Sequence, residues 1–144
     1  MDPRFEPLLS FFEEKIPFNR LLGMVVHDLR PGHCELRVAA RPELVGDPYR
    51  PALHGGVVSA LADTAGGLAV FSQVGPEDRV STLDMRVDYL RPARVDQTLR
   101  ALATVMRMGN RVGVVDILLV QDDETAPVAR STAVYNVVRR GDVG

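Results

Sequence analysis

A single carboxylate, Asp63, lies in the middle of an otherwise uncharged apolar segment. The segment reads GVVSALADTAGGLAVFSQV, and as a helix it would carry small or apolar residues on nearly every face. Burying a lone carboxylate without a cationic partner costs several kcal/mol. A fold keeps such a group only for a compensating reason, and general-base or nucleophilic chemistry is one such reason.

The second feature is the tripeptide His54-Gly55-Gly56, which opens the same predicted helix. The first N–H groups of a helix have no intrahelical partner, and with the helix dipole they favour an oxygen that gains negative charge. Glycine lets a carbonyl group approach the backbone closely. The alternative for His54 is a helix-capping or packing role.

The spacing of these residues predicts a dimer. Asp63 lies eight residues beyond Gly55, which is about 12 Å along a helix at ~1.5 Å per residue. One reacting carbonyl cannot contact both groups of the same helix. A site that uses this pair therefore needs helices from two subunits lying antiparallel, which gives a homodimer with two equivalent sites.

Periodicity and turn signals predict the elements that position these residues. Apolar spacings of three and four predict a short helix over about residues 3–18, interrupted near Pro17, and two strands around Pro31-Gly32 are predicted to form a hairpin. The proline-containing segment 40–51 predicts an irregular loop, and the tail 141–144 is expected to fray. After the central helix, four β-rich runs predict a long antiparallel meander at Val80–Leu90, Gln97–Met106, Arg111–Gln121 and Val128–Val138.

Composition restricts the class of protein. The 144 residues, 46% of them apolar, predict one globular domain over residues 1–144. A formal net charge of -2 argues against a broad nucleic-acid-binding surface. No secretory signal or convincing membrane span is visible, so we expect a cytoplasmic protein without a membrane partner. His27 and His33 lack metal-ligand spacing with any acid or cysteine, and we expect no metal.

A helix that is apolar almost all round must be surrounded, so we predict an α+β fold with a long curved antiparallel sheet wrapped around one central helix. This order of elements, with LHGGVVSALADTAGG and VSTLDMRVDYLRPAR, resembles the hotdog fold of PaaI-type acyl-CoA thioesterases over residues 20–140. The resemblance implies hydrolysis of acyl-CoA without a cofactor, because coenzyme A is part of the substrate. It implies that Asp63 is the general base or nucleophile and that the amide of Gly55, in the motif behind His54, polarises the thioester carbonyl.

Supporting residues are predicted around this pair. Thr82 stands where this branch often has a hydroxyl, and it either hydrogen-bonds Asp63 or orients water; the alternative is a strand hydroxyl bonded to backbone. Ser59 lies one turn before Asp63 on the same helix face and is a candidate to support it by a hydrogen bond, not a nucleophile. Relatives commonly carry asparagine six residues before the histidine, where this chain has Pro48. Either the adjacent Asp47 takes that role or the role is absent.

Substrate-binding groups complete the predicted site. Gly56 is assigned to the thioester end, and the acyl pocket is expected to be lined by Tyr49, Leu61 and Leu68. Arginines at two strand ends are predicted to hold the phosphates of coenzyme A, the alternative being solvated edge charges. These arginines are Arg91, Arg94, Arg107 and Arg111.

Two other functions stay open at this stage. The first is a non-catalytic acyl-CoA binding or sensing module in which Asp63 is structural. The second is a hotdog hydratase or dehydratase, although its proton transfers need a histidine paired with an acid in a different arrangement. The sequence leaves undecided whether the acyl group is aromatic or aliphatic, whether it is carried by coenzyme A or a carrier protein, and whether the dimer pairs further into a homotetramer.

Overall fold

The computed structural model describes residues 1–141, so residues 142–144 of the predicted frayed tail lie outside the described residues. Three α-helices occur, and the first two belong to a segment, residues 3–22, that we call the N-terminal arm. The arm comprises a 3-10 turn at Pro3–Phe5, α1 at Glu6–Ser10, a π-helical turn at Phe11–Lys15 and α2 at Pro17–Leu22. The central helix α3 spans Gly55–Phe71.

Residues 1–141 contain eight strands. They are β1 Met24–Arg30, β2 His33–Val38, β3 Val45–Asp47, β4 Ala52–Leu53, β5 Arg79–Tyr89, β6 Leu99–Met108, β7 Val112–Val120 and β8 Ala129–Val138. Six of them form one antiparallel sheet in the order β1-β2-β6-β7-β8-β5, and β3 pairs with β4 in a separate ribbon. All six strands of the large sheet contact α3. The predicted α+β hotdog architecture is therefore confirmed.

The apolar surface of α3 is buried because the sheet curves around it. Ten of its residues are buried, and Leu61, Ala62 and Leu68 have no exposed surface. On β8 alternate residues point inward, as expected for a strand with one buried face. No helix within residues 1–141 is both long and apolar enough to cross a bilayer.

Two expectations about the chain path are wrong. The four strands after α3 do not form one meander, because β5 lies at the sheet edge beside β8 and not beside β6. Both sides of β6 are already bonded, by β2 and β7, so no edge remains there for β5. The loop 40–51 is also more ordered than expected, since it contains a 3-10 turn at Pro42–Leu44 and β3.

The N-terminal arm is helical over most of the predicted span of about 3–18, and it is interrupted next to Pro17, where the interruption was expected. Helical backbone continues to Lys15, and Ile16 is extended with φ -90° and ψ 111°. Proline disfavours helical backbone in the residue before it, which explains the break ahead of Pro17. A second short helix then leads to Gly23, whose φ of 70° ends it in a left-handed cap.

Candidate active site

Asp63 is half-buried on α3, and one oxygen of its carboxylate is anchored by hydroxyl groups. Thr82 on β5 donates from Oγ1 to Asp63 Oδ1 at 2.6 Å, and the hydroxyl of Tyr135 on β8 lies 3.4 Å from the same oxygen. Among residues 1–141, no group hydrogen-bonds Oδ2 and no cation pairs with this carboxylate. The arrangement fixes the orientation of the side chain and leaves Oδ2 free for a substrate or water.

Tyr135 is the buried support of this carboxylate. Its hydroxyl donates to the backbone carbonyl of Asp63 at 2.7 Å, and its side chain is only 1% exposed. Burial, reinforced by the charge of Asp63, raises the pKa of the Tyr135 hydroxyl well above its usual range. The hydroxyl therefore stays protonated at neutral pH and remains a donor.

The adjacent glycines of α3 have different reasons to be glycine. A Cβ on Gly66 would overlap the hydroxyl of Tyr135, whereas a Cβ on Gly67 would come no closer than 3.5 Å to the same ring. Glycine inside a helix costs about 1 kcal/mol relative to alanine. At Gly66 the close packing of Tyr135 explains why glycine is present despite this cost. At Gly67 it does not.

This contrast predicts opposite effects of two alanine substitutions on stability. Gly66→Ala displaces Tyr135 and is expected to lower the free energy of unfolding by about 1–3 kcal/mol, the usual range for overpacking. Gly67→Ala, the matched control, is expected to raise it by about 1 kcal/mol through helix propensity. Urea unfolding of both variants measures the difference, and equal effects would contradict the assigned role of Gly66.

The start of α3 presents one unpaired amide. His54 is the N-cap residue, and its Nδ1 accepts the N–H of Gly56 at 2.7 Å. The N–H of Gly55 has no partner in the described part of the chain. The capping role considered for His54 is therefore present, and it leaves Gly55 as the amide available to an oxyanion.

Two residues that the sequence analysis did not select shape this end of the helix. Tyr89 on β5 donates its hydroxyl to the carbonyl of Gly55 at 3.2 Å. Gly46 on β3 passes so close to His54 that a Cβ there would lie 2.6 Å from the His54 Cα atom. Tyr89 stands in the strand motif quoted above, whereas Gly46 carried no signal in its proline-containing loop.

Ser59 and Asp47 do not reach Asp63 in this chain. Ser59 donates to the carbonyl of Gly56 at 3.2 Å, so the expected bond to Asp63 is wrong. A serine inside a helix commonly bonds a carbonyl of the preceding turn, which explains the difference. Asp47 Oδ1 accepts the N–H groups of Tyr49 and Arg50 at 2.9 and 3.0 Å, and this closes the turn after β3.

A large cavity opens beside Asp63, with a volume of about 1130 Å³. Asp63, Thr82 and Tyr135 line one part of it, and apolar side chains of the N-terminal arm line another. None of the three residues predicted to line the acyl pocket lines this cavity. Leu61 and Leu68 are fully buried core residues, and Tyr49 is 93% exposed in its loop. Leu61 and Leu68 face the sheet, where packing against the core removes them from the cavity.

The four arginines do not form one cluster within the chain. Arg94 lies at the Val120 end of β7 and pairs with Asp96 at 2.9 Å. Arg111, with Arg107, lies at the opposite end, where a smaller cavity of about 430 Å³ opens. The nine residues of β7 separate the two groups by about 30 Å at ~3.3 Å per residue. Exposed Arg91 is on the same side as Gly55, because it follows Tyr89.

These features suit acyl transfer. A carboxylate with one free oxygen provides a base or nucleophile, and an unpaired amide at a helix N-terminus stabilises negative charge on a carbonyl oxygen. Within residues 1–141, no group of three His, Cys, Asp or Glu side chains is placed to hold a metal ion.

Comparison with known proteins gives consistent results. The thioesterase superfamily model matches residues 51–128. The medium/long-chain acyl-CoA thioesterase YigI of Escherichia coli is 34% identical over 141 residues, which cover 89% of this chain and 90% of that protein. A Haemophilus influenzae thioesterase structure has 25% identity and a TM-score of 0.82, covering 96% of this chain and 92% of that one. The PaaI protein of the E. coli phenylacetic acid degradation operon has 26% identity and a TM-score of 0.77, with coverages of 90% and 88%.

Proposed function

The chain belongs to the thioesterase superfamily, with the hotdog fold of its PaaI-type members, and we propose that it hydrolyses acyl-CoA thioesters to the free acid and coenzyme A. The observation that supports this most directly is the Asp63 carboxylate, which is anchored through Oδ1 and free at Oδ2 beside a large cavity. The similarity to YigI favours an aliphatic acyl group over an aromatic one.

In the proposed reaction Asp63 acts at the thioester carbonyl by one of two routes. As general base, Oδ2 takes a proton from water while the water oxygen bonds the carbonyl carbon. As nucleophile, Oδ2 bonds that carbon itself to give a mixed anhydride, which water then hydrolyses. In both routes the Gly55 N–H stabilises the tetrahedral oxyanion, and the C–S bond breaks to release the thiolate of coenzyme A. That thiolate is a good leaving group, so no strong general acid is required.

The proposed site is shared between two subunits. Gly55 and Asp63 lie about 12 Å apart along α3, too far for one carbonyl to contact both. Strand β5 offers the surface for pairing, because it is an edge strand of eleven mostly exposed residues. Its exposed hydrophobic side chains include Leu83 at 58% and Tyr89 at 57%. Antiparallel pairing of two β5 strands about a twofold axis places the two α3 helices side by side in opposite directions.

Binding of coenzyme A is proposed at the Gly55 end of this interface. Arg91 is exposed there and forms no salt bridge within the described part of the chain, although its charge acts on nearby Asp123, so its guanidinium is accessible to a phosphate. Arg94 is on the same side but is tied to Asp96. Arg111 is remote from this end of its own chain, so its predicted phosphate contact requires a different subunit.

Thiol release from a panel of acyl-CoA substrates tests the proposed activity. We expect turnover of aliphatic acyl-CoAs that exceeds turnover of phenylacetyl-CoA and benzoyl-CoA, with the solution mass of a dimer or a multiple of it. Binding of acyl-CoA without thiol release would support the non-catalytic alternative. A stable, fully active monomer would contradict the shared site.

A further inference from the structure

The wall of the cavity opposite Asp63 is formed by the N-terminal arm. The arm lies entirely outside residues 51–128, the segment that matches the superfamily model. Its contribution to the cavity surface is mainly apolar. The apolar side chains that the arm contributes include Phe5, Leu8, Phe11, Phe12, Ile16 and Phe18.

The floor of the cavity is one stripe of α3 that leads away from Asp63. Asp63, Gly67 and Phe71 are spaced four residues apart, so they share a helix face, and all three line the cavity. Gly67 has no side chain to fill the space next to the carboxylate, although a Cβ would meet nothing closer than 3.5 Å. Helix rise gives about 12 Å from Asp63 to Phe71. An extended alkyl chain advances about 1.25 Å per carbon, so roughly ten carbons fit this length.

The arm is held in place by contacts with the sheet and with α3. Glu13 accepts the N–H of Val26 on the sheet edge at 2.7 Å. Within the arm, the side chain of Asn19 donates to the carbonyl of Phe12 at 2.9 Å and ties its two helical parts together. The ring of Phe12 packs edge-on against Phe71, with 5.5 Å between centroids. These contacts join the arm to both the sheet and the cavity floor, so it is a fixed wall.

We propose that the N-terminal arm closes the acyl compartment and determines the length of alkyl chain that the enzyme accepts. This inference rests on the proposed hydrolysis of acyl-CoA. The thioester carbonyl lies at Asp63, and a straight alkyl chain runs over Gly67 toward Phe71, under the arm of the same subunit. The cavity, with a volume of about 1130 Å³, has room for such a chain.

Acyl-CoA chain-length profiles test this role of the arm. For the wild type we expect kcat/KM to rise roughly tenfold for every two added methylene groups until about ten carbons, because each buried methylene contributes a constant transfer free energy. Leu8→Trp fills the compartment from the arm and is expected to lower kcat/KM for decanoyl-CoA and dodecanoyl-CoA at least about tenfold, with butanoyl-CoA changed less than about twofold. The matched control is Leu21→Trp, at a position of the arm that is 66% exposed and outside the cavity lining.

A second variant changes the α3 side of the same compartment. It keeps the test informative if the tryptophan variant fails to fold. Gly67→Ala adds one methyl group where space exists, and it is expected to shift the optimum toward shorter chains by about two carbons. An equal loss at all chain lengths, or an unchanged profile in both variants, overturns the role of the arm. A wild type inactive toward every acyl-CoA refutes the proposed hydrolysis itself, so the two failures are distinguishable.

Discussion

Asp63→Asn is expected to lower kcat for thioester hydrolysis at least about a hundredfold, the usual scale for loss of a general base. Asparagine keeps the shape of the side chain, and its carbonyl oxygen can still accept the Thr82 hydroxyl that now bonds Oδ1 at 2.6 Å. It cannot take a proton from water or bond a carbonyl carbon as a carboxylate does. The loss should therefore appear in kcat, measured by thiol release at saturating acyl-CoA.

A matched control separates chemistry from charge. Asp116 lies on β7, away from the proposed dimer interface, is exposed and is not part of the cavity lining. Asp116→Asn removes the same charge and should leave kcat unchanged. Both variants should unfold at the wild-type temperature. Wild-type turnover by Asp63→Asn, or an equal loss in both variants, would refute the assignment of Asp63.

The centre of the site was predictable because its signals are local. A lone acid in an apolar helix is visible in any window of the sequence, and so is a His-Gly-Gly entry to that helix. The family, the hotdog fold and the thioester hydrolase class that these residues predicted are confirmed. The roles of Asp63 and Gly55 within that class stay predictions.

The supports of the site were not predictable, because they depend on contacts between distant parts of the chain. Tyr135 is 72 residues from Asp63 and reaches it only because alternate residues of β8 face α3. In the sequence, a glycine inside a helix at position 66 indicates close packing, but it does not identify Tyr135 as the residue packed there. Helical periodicity predicted the helix of the arm, but it does not indicate that its apolar face borders a cavity at Asp63.

Strand neighbours were also beyond the sequence pattern. Alternation identifies a strand and its buried face, but it carries no information about which strand lies beside it. The prediction that β5 joined a meander has this cause. The observed position of β5 at the free edge of the sheet leaves it available to pair with a second subunit. Such pairing gives the dimer that the spacing of Gly55 and Asp63 requires.

Gly55→Pro is expected to lower kcat by about a hundredfold to a thousandfold, the scale for removing one oxyanion donor. Gly55 is the first residue of α3, and proline is well tolerated at that position because its missing N–H has no helical partner. The preceding residue, His54, already has the extended ψ of 132° that a following proline favours. The substitution therefore removes the proposed donor with little change to the helix.

Gly55→Ala is the control for added bulk. A Cβ at this position lies 3.4 Å from the Tyr89 ring, an ordinary contact, and alanine keeps the N–H. Its kcat should stay within about tenfold of the wild type, well above that of the proline variant. If alanine and proline reduce kcat equally, the bulk near Tyr89 explains the loss and the amide is not the oxyanion donor.

Mixing the two inactive variants decides whether the site is shared. In a dimer of one Asp63→Asn subunit and one Gly55→Pro subunit, one site has both defects and the other has an intact Gly55 amide opposite an intact Asp63. Random reassociation at equal amounts makes half of the dimers mixed, so about a quarter of wild-type activity should return. A site contained in one chain leaves each subunit with its own defect, and the mixture then stays as inactive as its parents. The mixture therefore tests the inference drawn from the eight-residue spacing independently of either single substitution.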